Sequence, residues 1–458
     1  MPSRIKKFWK SLGPGLITGA SDDDPSGIVT YSVAGARLGP AAVWTMLYIL
    51  PLMIAVQKMS AKIGISSACG LAGNIKRYYS KWLLVFISAL IIISNTFNIG
   101  ANVFGMASAI EILTPGSTIF LSWLIIGLIL ILTVVLPYRK IVTIFKWLAF
   151  SLFAYVIAGV LVINDWPGMI YHLAIPSISW DKSSLMILVA IFGTTISPYM
   201  AFWQASEEAE EKKISAGGGY SPVPSGGAGP ASGRGPSREG KREKEAACEY
   251  RIVTKHELKR VTADTSVGMF FSNFIGFFII ALTGTVLFSA GIRDINTIKE
   301  AAEALRPLAG NYAYILFTLG VISAGILAIP ILAGSSAYVL SEIFSWGGSL
   351  DKPFSKAKEF YLVIIFSAIV GMFIPYFGIN PVKALLWTSI IHGLVAPFLI
   401  AILIHMSNNP AIVGPNTNNK KENSMAYFTL FLMSLAVITF LFIETPVEEI
   451  RSFIYELI

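Results

Sequence analysis

Long apolar runs separated by short polar segments organise most of the chain. Each run approaches the roughly 20 apolar residues that a helix needs to cross the core of a bilayer. Eleven such runs occur, so the pattern predicts an all-α membrane protein with eleven transmembrane helices. The spans are predicted at residues 12–36, 40–65, 83–108, 118–138, 141–163, 183–206, 264–290, 312–341, 360–378, 383–405 and 426–444.

Basic residues crowd into alternate connections between these runs. Because cytoplasmic loops are enriched in Lys and Arg, this pattern predicts a cytoplasmic N-terminus and an extracytoplasmic, acidic C-terminus in a plasma (inner) membrane. Residues 295–308, in an outer connection, are predicted to form an amphipathic helix on the membrane surface. The basic segments are Arg4–Lys7, Lys76–Lys81, Arg139–Lys140, Lys352–Lys358 and Lys420–Lys421.

The connection between the sixth and seventh spans differs from the others. The connection begins with an acidic run, Glu207–Glu211, and the insert that follows at 212–250 becomes rich in Gly, Pro and Ser and leads into a basic stretch, Lys241–Arg260. Such a composition cannot bury a core, so a flexible cytoplasmic insert is predicted, and a native and an engineered origin both remain open. The insert contributes to the net charge of +8, which therefore gives no support to nucleic-acid binding.

The overall composition agrees with a membrane protein. Hydrophobic residues make up 54% of the chain and charged residues 14%, with a mean hydropathy of +0.67. A soluble domain could not cover its surface with so few charges. The two cysteines, Cys69 and Cys248, lie far apart without metal-binding spacing, and both are expected to be free thiols.

The first span carries three consecutive carboxylates, Asp22 to Asp24, followed by Pro25 and Gly27. A proline and several glycines make a continuous helix unfavourable here. The carboxylates could lie at a membrane boundary and cap a helix that starts at Pro25. The apolar residues that follow favour an interior position instead, where an acidic residue marks a functional site. Asp24 adjoins the break, while Asp22 and Asp23 are expected to line the aqueous approach.

The sixth span has a matching interruption from Gly193 to Tyr199, which contains Ser197 and Pro198. Broken helices at corresponding positions of two halves indicate inverted repeats with a transport site at the membrane midplane. We therefore predict a 5+5 inverted repeat, with residues 1–163 as the first half and 183–405 as the second. Span eleven, at 426–444, is additional. A carboxylate together with free backbone carbonyls suits a hard cation.

At these breaks the chain resembles the NRAMP family of divalent-metal transporters. The resemblance lies in the family's Asp-Pro-Gly-Asn signature in span one and its Met-Pro-His signature in span six, and extends to Gly13-Pro14 and the eleven-span plan. It covers nearly the whole chain apart from the insert. It implies a LeuT-like fold in which the metal is held between the unwound segments of spans one and six.

The departures from the family pattern are as informative as the match. Ser26-Gly27 replaces Gly-Asn, so an amide ligand is missing, and Ser197 replaces a methionine whose soft thioether favours manganese and iron. Residues of the family's proton route are also replaced. These altered positions are Tyr199 and Trp203 in place of two histidines, and Asn102 in place of an acid. As separate departures, Ser389 stands where a glutamine is usual, and the ninth span, Phe360–Gly378, lacks the usual arginines.

This pattern resembles the NRAMP-related magnesium transporter branch. Magnesium requires octahedral oxygen ligands and usually keeps several of its waters. The resemblance implies that Asp24 supplies charge and that Ser21 and Thr194 offer carbonyl oxygens, beside Gly27 and Ser197. Asn98 and Asn102 would hydrogen-bond the water shell of the ion, although membrane asparagines also serve simply to join helices.

The sequence therefore predicts a secondary transporter, not an enzyme, that passes magnesium, and possibly manganese, without proton coupling and without a cofactor. A proton-coupled manganese or iron transporter, a channel and a non-transporting metal receptor are the alternatives. His392, in span ten, is interpreted as a packing residue, with a residual proton site as the other reading. The lipid bilayer and the cation are the expected partners, and no obligate protein partner is evident.

Overall fold

A computed structural model describes residues 14–114, 116–135, 152–215, 248, 251–350 and 352–444. Within these ranges the chain is helical, with short 3-10 turns and one π-helical turn, Gly284–Phe288, between the α-helices. The α-helices are α1 (Pro14–Asp22), α2 (Pro25–Leu38), α3 (Trp44–Ser67), α4 (Leu71–Tyr78), α5 (Lys81–Glu111), α6 (Thr118–Val135), α7 (Phe153–Val162), α8 (Trp166–Ala174), α9 (Lys182–Thr195), α10 (Pro198–Ser215), α11 (Lys255–Thr283), α12 (Ile298–Ala302), α13 (Arg306–Ala309), α14 (Ala313–Phe344), α15 (Lys358–Gly371), α16 (Pro381–Ser407), α17 (Pro410–Val413) and α18 (Lys420–Glu444).

The helical fold class is confirmed. In the described ranges, nine helical segments are long and apolar enough to cross a membrane, and they correspond to predicted spans two to four and six to eleven. The first span is divided between α1 and α2. The fifth span is represented by α7, which bends by 119° into α8. This arrangement is compatible with eleven spans.

Several predicted segments lie outside the described residues. These are the basic N-terminus, the first part of the fifth span, most of the insert and the acidic C-terminal tail, at 1–13, 136–151, 216–247 and 445–458.

Both predicted helix breaks are present. In the first span, Asp24 is extended, with φ −70° and ψ 172°, and Pro25 starts α2. Proline suits the first position of a helix because its missing N–H has no intrahelical partner there. In the sixth span, α9 ends at Thr195 and α10 starts at Pro198, with Ile196 and Ser197 between them.

Helix α1, which leads into the first break, packs in a bundle with three other helices. Helix α1 packs closely along α11, where Gly19 lies so near the Gly268 backbone that an added Cβ would clash with its carbonyl oxygen. Helices α3 and α10 complete this bundle, since a Cβ on Gly64 would meet the Ala205 backbone at 2.2 Å. The polar residues of α1 therefore lie inside a four-helix bundle of α1, α3, α10 and α11.

Several boundaries differ from the sequence prediction, and α10 runs to Ser215 although the sixth span was predicted to end at residue 206. The seventh span was predicted to begin at residue 264, but α11 begins at Lys255, where Thr254 and Glu257 form a reciprocal capping box. Such a cap satisfies the first free N–H groups and lets the helix extend beyond the apolar run. The predicted surface helix at 295–308 is present only as α12 and α13, which a 3-10 turn separates.

The prediction of two free thiols was wrong. Cys69 and Cys248 form a disulfide, with their Cα atoms 5.3 Å apart. Cys69 follows the end of α3, and Arg251 donates its backbone N–H to the Ser66 carbonyl at the same end. The fold thus brings together cysteines that are 179 residues apart, and no local sequence signal could have revealed the pairing.

Candidate cation site

Asp24 lies at the centre of the fold. Its side chain is 1% exposed, and it forms the N-cap of α2 by accepting a hydrogen bond from the Gly27 N–H at 2.7 Å. The sequence offered a helix cap and an interior position as alternatives for the aspartates. Asp24 fits both, because it caps α2 and is also deeply buried. A helix N-terminus provides free N–H groups and a positive end of the helix dipole, both of which stabilise a carboxylate.

Four donors surround the Asp24 carboxylate. Oδ1 accepts hydrogen bonds from the Ser26 hydroxyl at 2.6 Å and the Gly27 N–H, and Oδ2 accepts from Asn98 Nδ2 at 3.1 Å and Asn102 Nδ2 at 2.9 Å. An ionised carboxylate offers about four lone-pair sites. The carboxylate is thus saturated by neutral donors in this arrangement.

The third span supplies two of these donors. Asn98 and Asn102 lie one turn apart on α5, and both are fully buried. Asn102 also accepts the Ser26 N–H with its Oδ1 at 3.1 Å, so it bridges two residues of the first break. The sequence prediction named both asparagines as cation-site residues that hydrogen-bond the water shell of the ion, whereas in the structure both donate directly to Asp24.

The second break presents hydroxyl and carbonyl oxygens. The Ser197 hydroxyl donates to the carbonyls of Gly193 and Thr194, at 3.0 and 2.5 Å. These carbonyls belong to the last turn of α9, where the helix ends and some carbonyls are left without intrahelical partners. The Ser197 oxygen keeps its lone pairs and can still accept a hydrogen bond.

Gly27 brings the two breaks into contact. A Cβ at this position would lie 3.0 Å from the Asp22 carbonyl oxygen, 3.3 Å from Thr194 Oγ1 and 3.5 Å from Asp24 Oδ1. In this closed arrangement, the space that an asparagine side chain would need is therefore already filled by oxygen atoms. The glycine thus allows the two breaks to approach each other closely.

Two of the three altered proton-path positions contact the site. Tyr199 donates its hydroxyl to the Ser21 carbonyl at 3.1 Å, so one of the predicted carbonyl ligands already accepts a hydrogen bond. Asn102 contacts Asp24 directly. Trp203 instead packs toward α14, with its ring 5.8 Å from the Tyr338 ring. The Tyr199 ring also lies 5.5 Å from the ring of His392, which is 1% exposed.

The site is closed on the side predicted to be extracytoplasmic. The hydroxyls of Thr30 on α2 and Ser389 on α16 are 2.8 Å apart, and the Tyr31 hydroxyl is 3.1 Å from Thr195 Oγ1 on α9. These contacts join α2 to the helices on either side of it. Ser389, which stands where the family has a glutamine, is thus part of the outer closure.

The opposite side is closed by polar contacts between α1 and α10. Thr18 donates to Gln204 Oε1 at 2.6 Å, and Gln204 donates onward to Glu208 Oε1 at 2.8 Å. Asp22 and Asp23 are buried between α1 and α11, at 1% and 0% exposure, where Ser272 donates to Asp22. In this state they line no open water, and their predicted role in an aqueous approach is left untested.

Sequence reasoning missed some residues that the structure brings to the site. Ser26 was noted only as a departure from the signature, yet its hydroxyl contacts Asp24. Ser272 and Gln57 were not identified, because nothing in spans two and seven marks them from sequence alone. Within the described ranges, no three His, Cys, Asp or Glu side chains converge to hold a metal ion. A cation held here would depend on one or two carboxylates and neutral oxygens.

Comparison with protein families identifies the group. The family model for natural resistance-associated macrophage protein-like (Nramp) proteins matches residues 15–443 of the 458. The chain belongs to the Nramp family. The two helix breaks and the buried Asp24 are thus features of an Nramp protein, as the resemblance in sequence implied.

Individual relatives extend over nearly the full chain. The divalent metal cation transporter MntH of Clostridium acetobutylicum is 22% identical, over 96% of this chain and 92% of that protein. MntH of Caldanaerobacter subterraneus is 23% identical, over 94% and 93%. These relatives are named as transporters rather than enzymes, in agreement with the prediction.

Solved structures agree on the fold. The manganese transporter of Eremococcus coleocola, in complex with an aromatic bis-isothiourea compound, has a TM-score of 0.71 at 17% identity, covering 94% of this chain and 86% of that one. Mhp1, a nucleobase-cation-symport-1 family transporter, has a TM-score of 0.53 at 13% identity, covering 94% and 92%. The fold is therefore that of a LeuT-like, multi-pass membrane protein of the Nramp family.

Proposed function

We propose that this Nramp protein is a divalent-metal transporter that carries magnesium, with manganese as a further candidate ion, across the plasma (inner) membrane by alternating access. The observation that carries the proposal is the environment of Asp24. One carboxylate, already held by four neutral donors, faces hydroxyl, amide and carbonyl oxygens instead of a thioether. Oxygen donors suit hard cations, whereas sulfur favours softer transition metals.

The saturation of Asp24 supports transport of a partly hydrated ion. For a bare ion to bind Asp24, at least one of the four hydrogen bonds must first break. Magnesium releases its waters reluctantly, and a bound water can take the place of one of these donors at Asp24 without direct contact between the carboxylate and the ion. Other bound waters can replace the present donors to the carbonyls of Ser21 and Thr194 in the same way. A hydrated magnesium ion therefore needs fewer direct protein bonds than a manganese ion held in a cage of side chains.

We further propose that uptake is driven by the membrane potential without proton coupling. Tyr199, Trp203 and Asn102 replace titrating groups of the family's proton route. A divalent cation that crosses about 100 mV, inside negative, gains roughly 4.6 kcal/mol. Because about 1.4 kcal/mol corresponds to a factor of ten, this energy supports a gradient on the order of a thousandfold.

A proton-coupled manganese transporter is the second candidate, and the similar solved structure that is named a manganese transporter favours manganese as its ion. Asp24 is a carboxylate that could release a proton when a metal arrives, and His392 is buried beside Tyr199. Against this candidate, the hydroxyl of Ser197 stands where a soft thioether would favour manganese.

Ion flux into proteoliposomes separates the two candidates. The purified protein is reconstituted with a magnesium indicator or a manganese-quenched dye inside, and luminal pH is followed in parallel under a potassium-valinomycin potential. We expect magnesium entry that grows with the potential and no metal-driven acidification above that of protein-free liposomes. Entry of manganese with acidification, and no entry of magnesium, would reject the proposal in favour of the second candidate.

A further inference from the structure

Behind Asp24, within the bundle of α1, α3, α10 and α11, several buried polar atoms lack partners. They come from four side chains on three helices, each 4% exposed or less. Buried polar atoms in native proteins are nearly always hydrogen-bonded, so such a group requires a physical explanation. The atoms without a hydrogen-bond partner in the described part of the chain are Asp22 Oδ1, Asp23 Oδ2, Gln57 Nε2, Gln57 Oε1 and Asn273 Oδ1.

The contacts of these residues place them around one interior space. The Ser272 hydroxyl contacts both Asp22 Oδ2 and Asp23 Oδ1, the second at 3.4 Å, so both carboxylates lie against α11 at the same level. Asn273 follows Ser272 and donates its amide to Met53 Sδ on α3 at 3.0 Å. The unpartnered oxygen of Asn273 thus lies at the junction of α3 and α11.

Gln57 faces the same space from α3. It lies one helical turn after Met53, which contacts α11, and three residues before Ser60, which donates to the Ala201 carbonyl on α10. Residues spaced by three or four share one face of a helix. The Gln57 side chain therefore lies on the face of α3 that meets α10 and α11. Because Gln57 is uncharged and belongs to another span, its unpartnered amide is evidence separate from the aspartates.

The chemistry of this space favours a cation. Four of the five unpartnered atoms are oxygens, and two of these belong to adjacent carboxylates. No ion pair to Asp22 or Asp23 occurs among the described residues, and a buried charge without a partner is very costly. Protons on the carboxylates would neutralise them, but would leave the two amide oxygens without partners. A hard cation would satisfy carboxylate and amide oxygens together.

We propose that Asp22, Asp23, Gln57 and Asn273 form a second cation-binding station, separate from Asp24, which takes a divalent cation with oxygen ligands. Asp22 and Asp23 supply the charge, the two amides supply neutral oxygens, and Ser272 positions the carboxylates. Asp24 is saturated by four donors, whereas Asp22 and Asp23 each keep one oxygen open. The station can therefore hold a cation while the Asp24 site is closed.

This inference rests on the proposed function, since it assigns the station to the same divalent ion. The station lies on the proposed transport path beside α1, between Asp24 and the contact of Thr18 with Gln204. It gives Asp22 and Asp23 a direct binding role in place of lining an aqueous approach. A cation that leaves Asp24 would be received there before α1 and α10 separate.

Equilibrium binding of manganese ions to the purified protein, read by electron paramagnetic resonance, tests the station without relying on transport. Manganese serves as the spectroscopic probe for the divalent ion. In the Asp24→Ala variant we expect one bound ion to remain. The triple variant Asp22→Asn/Asp23→Asn/Asp24→Ala is expected to lose it, and Gln57→Leu in the Asp24→Ala background should weaken it roughly tenfold.

A matched charge control is available at Asp181, which caps α9 outside the spans. Asp181→Asn in the Asp24→Ala background should leave binding unchanged, and monodisperse elution on size exclusion verifies folding of each variant. Binding by wild type but not by a folded Asp24→Ala variant would overturn the station and leave the proposed function intact. Binding that survives the triple variant would also overturn it. If the wild-type protein neither binds nor transports a divalent ion, the proposed function itself fails.

Discussion

The two helix breaks are related by the fold but provide different chemistry. At the first break, between α1 and α2, the backbone turns around a carboxylate, and four neutral donors hold Asp24. At the second break, between α9 and α10, no charged residue is present from Gly193 to Tyr199. The Ser197 hydroxyl there donates to the carbonyls of Gly193 and Thr194. Charge thus comes from one break, and neutral oxygens come from both.

This difference shows how the polar groups of the two breaks satisfy one another. Ser26, Asn98 and Asn102 satisfy the carboxylate, and Ser197 and Tyr199 satisfy carbonyls that an ion or its waters would otherwise contact. Each hydrogen bond contributes only about 1 kcal/mol net, because water competes for the same groups. An arriving hydrated cation can therefore exchange these contacts one at a time, with little cost per step.

The largest effect is expected from removing the charge at the first break. Asp24→Ala should lower magnesium uptake into proteoliposomes at least about a hundredfold, because it removes the carboxylate on which the four donors converge. The comparable control is Asp165→Ala, a carboxylate that caps α8 outside the spans. Uptake by Asp24→Ala at a rate close to that of the wild type would show that another residue supplies the negative charge that transport needs.

A smaller effect is expected from the donors that hold Asp24. Asn102 contacts both the carboxylate and the Ser26 N–H, whereas Asn98 contacts the carboxylate alone. We therefore expect Asn102→Leu to reduce uptake roughly tenfold or more, and Asn98→Leu to reduce it less. Loss of a hydrogen-bond partner of a metal-site carboxylate commonly lowers metal affinity or activity by such a factor. Initial rates at several magnesium concentrations measure both variants. Equal reductions of uptake in the two variants would mean that the hydrogen bond between Asn102 and the Ser26 N–H does not contribute to transport.

Much of the fold was predictable from the sequence. Apolar runs of membrane length predicted the helices, since every backbone polar group in a bilayer core must be satisfied within the structure. The prolines at positions 25 and 198 located both breaks, because proline cannot continue a helix without losing a hydrogen bond. The main changes at the spans were the later end of α10, at Ser215, and the earlier start of α11, where a capping box extends the helix beyond the apolar run.

The site was predictable only where chemistry is concentrated in a short stretch. Asp24 stood out as a charge in an apolar run, and Asn98 and Asn102 were found through the family resemblance. Gln57 and Ser272 could not be found in this way, because the pattern of one span does not reveal which face meets another span. The Cys69–Cys248 disulfide could not be predicted for the same reason, because the two cysteines meet only when α3 and the segment before α11 are packed together.

At the second break, the size of the effect depends on the ion. Ser197→Met replaces a hard hydroxyl by a soft thioether and releases the carbonyls of Gly193 and Thr194. We expect the preference for manganese over magnesium to increase roughly tenfold, since thioethers favour softer metals. Competition between the two ions in the same vesicles gives this ratio, with Ser323→Met on α14 as a control. An unchanged ratio would mean that Ser197 does not face the transported ion.

The smallest effect is expected at the outer closure, which both breaks share. Thr30→Val removes the hydroxyl contact with Ser389 but keeps the shape of the side chain. A contact of about 1 kcal/mol corresponds to roughly a fivefold change in the balance between closed and open states. Loss of the contact favours the open state, so the apparent affinity for external magnesium should improve by up to about that factor, while the maximal rate falls.

Thr133→Val is the matched control for this prediction, because the Thr133 hydroxyl donates only within its own helix, to the Ile129 carbonyl at 2.7 Å. Concentration-dependent uptake by the two variants separates affinity from maximal rate. The ratio of magnesium to manganese uptake should remain unchanged in Thr30→Val, because Thr30 lies above both breaks and contacts neither Asp24 nor Ser197. A shift of that ratio would place Thr30 in the ion site and make the outer closure part of the selectivity mechanism.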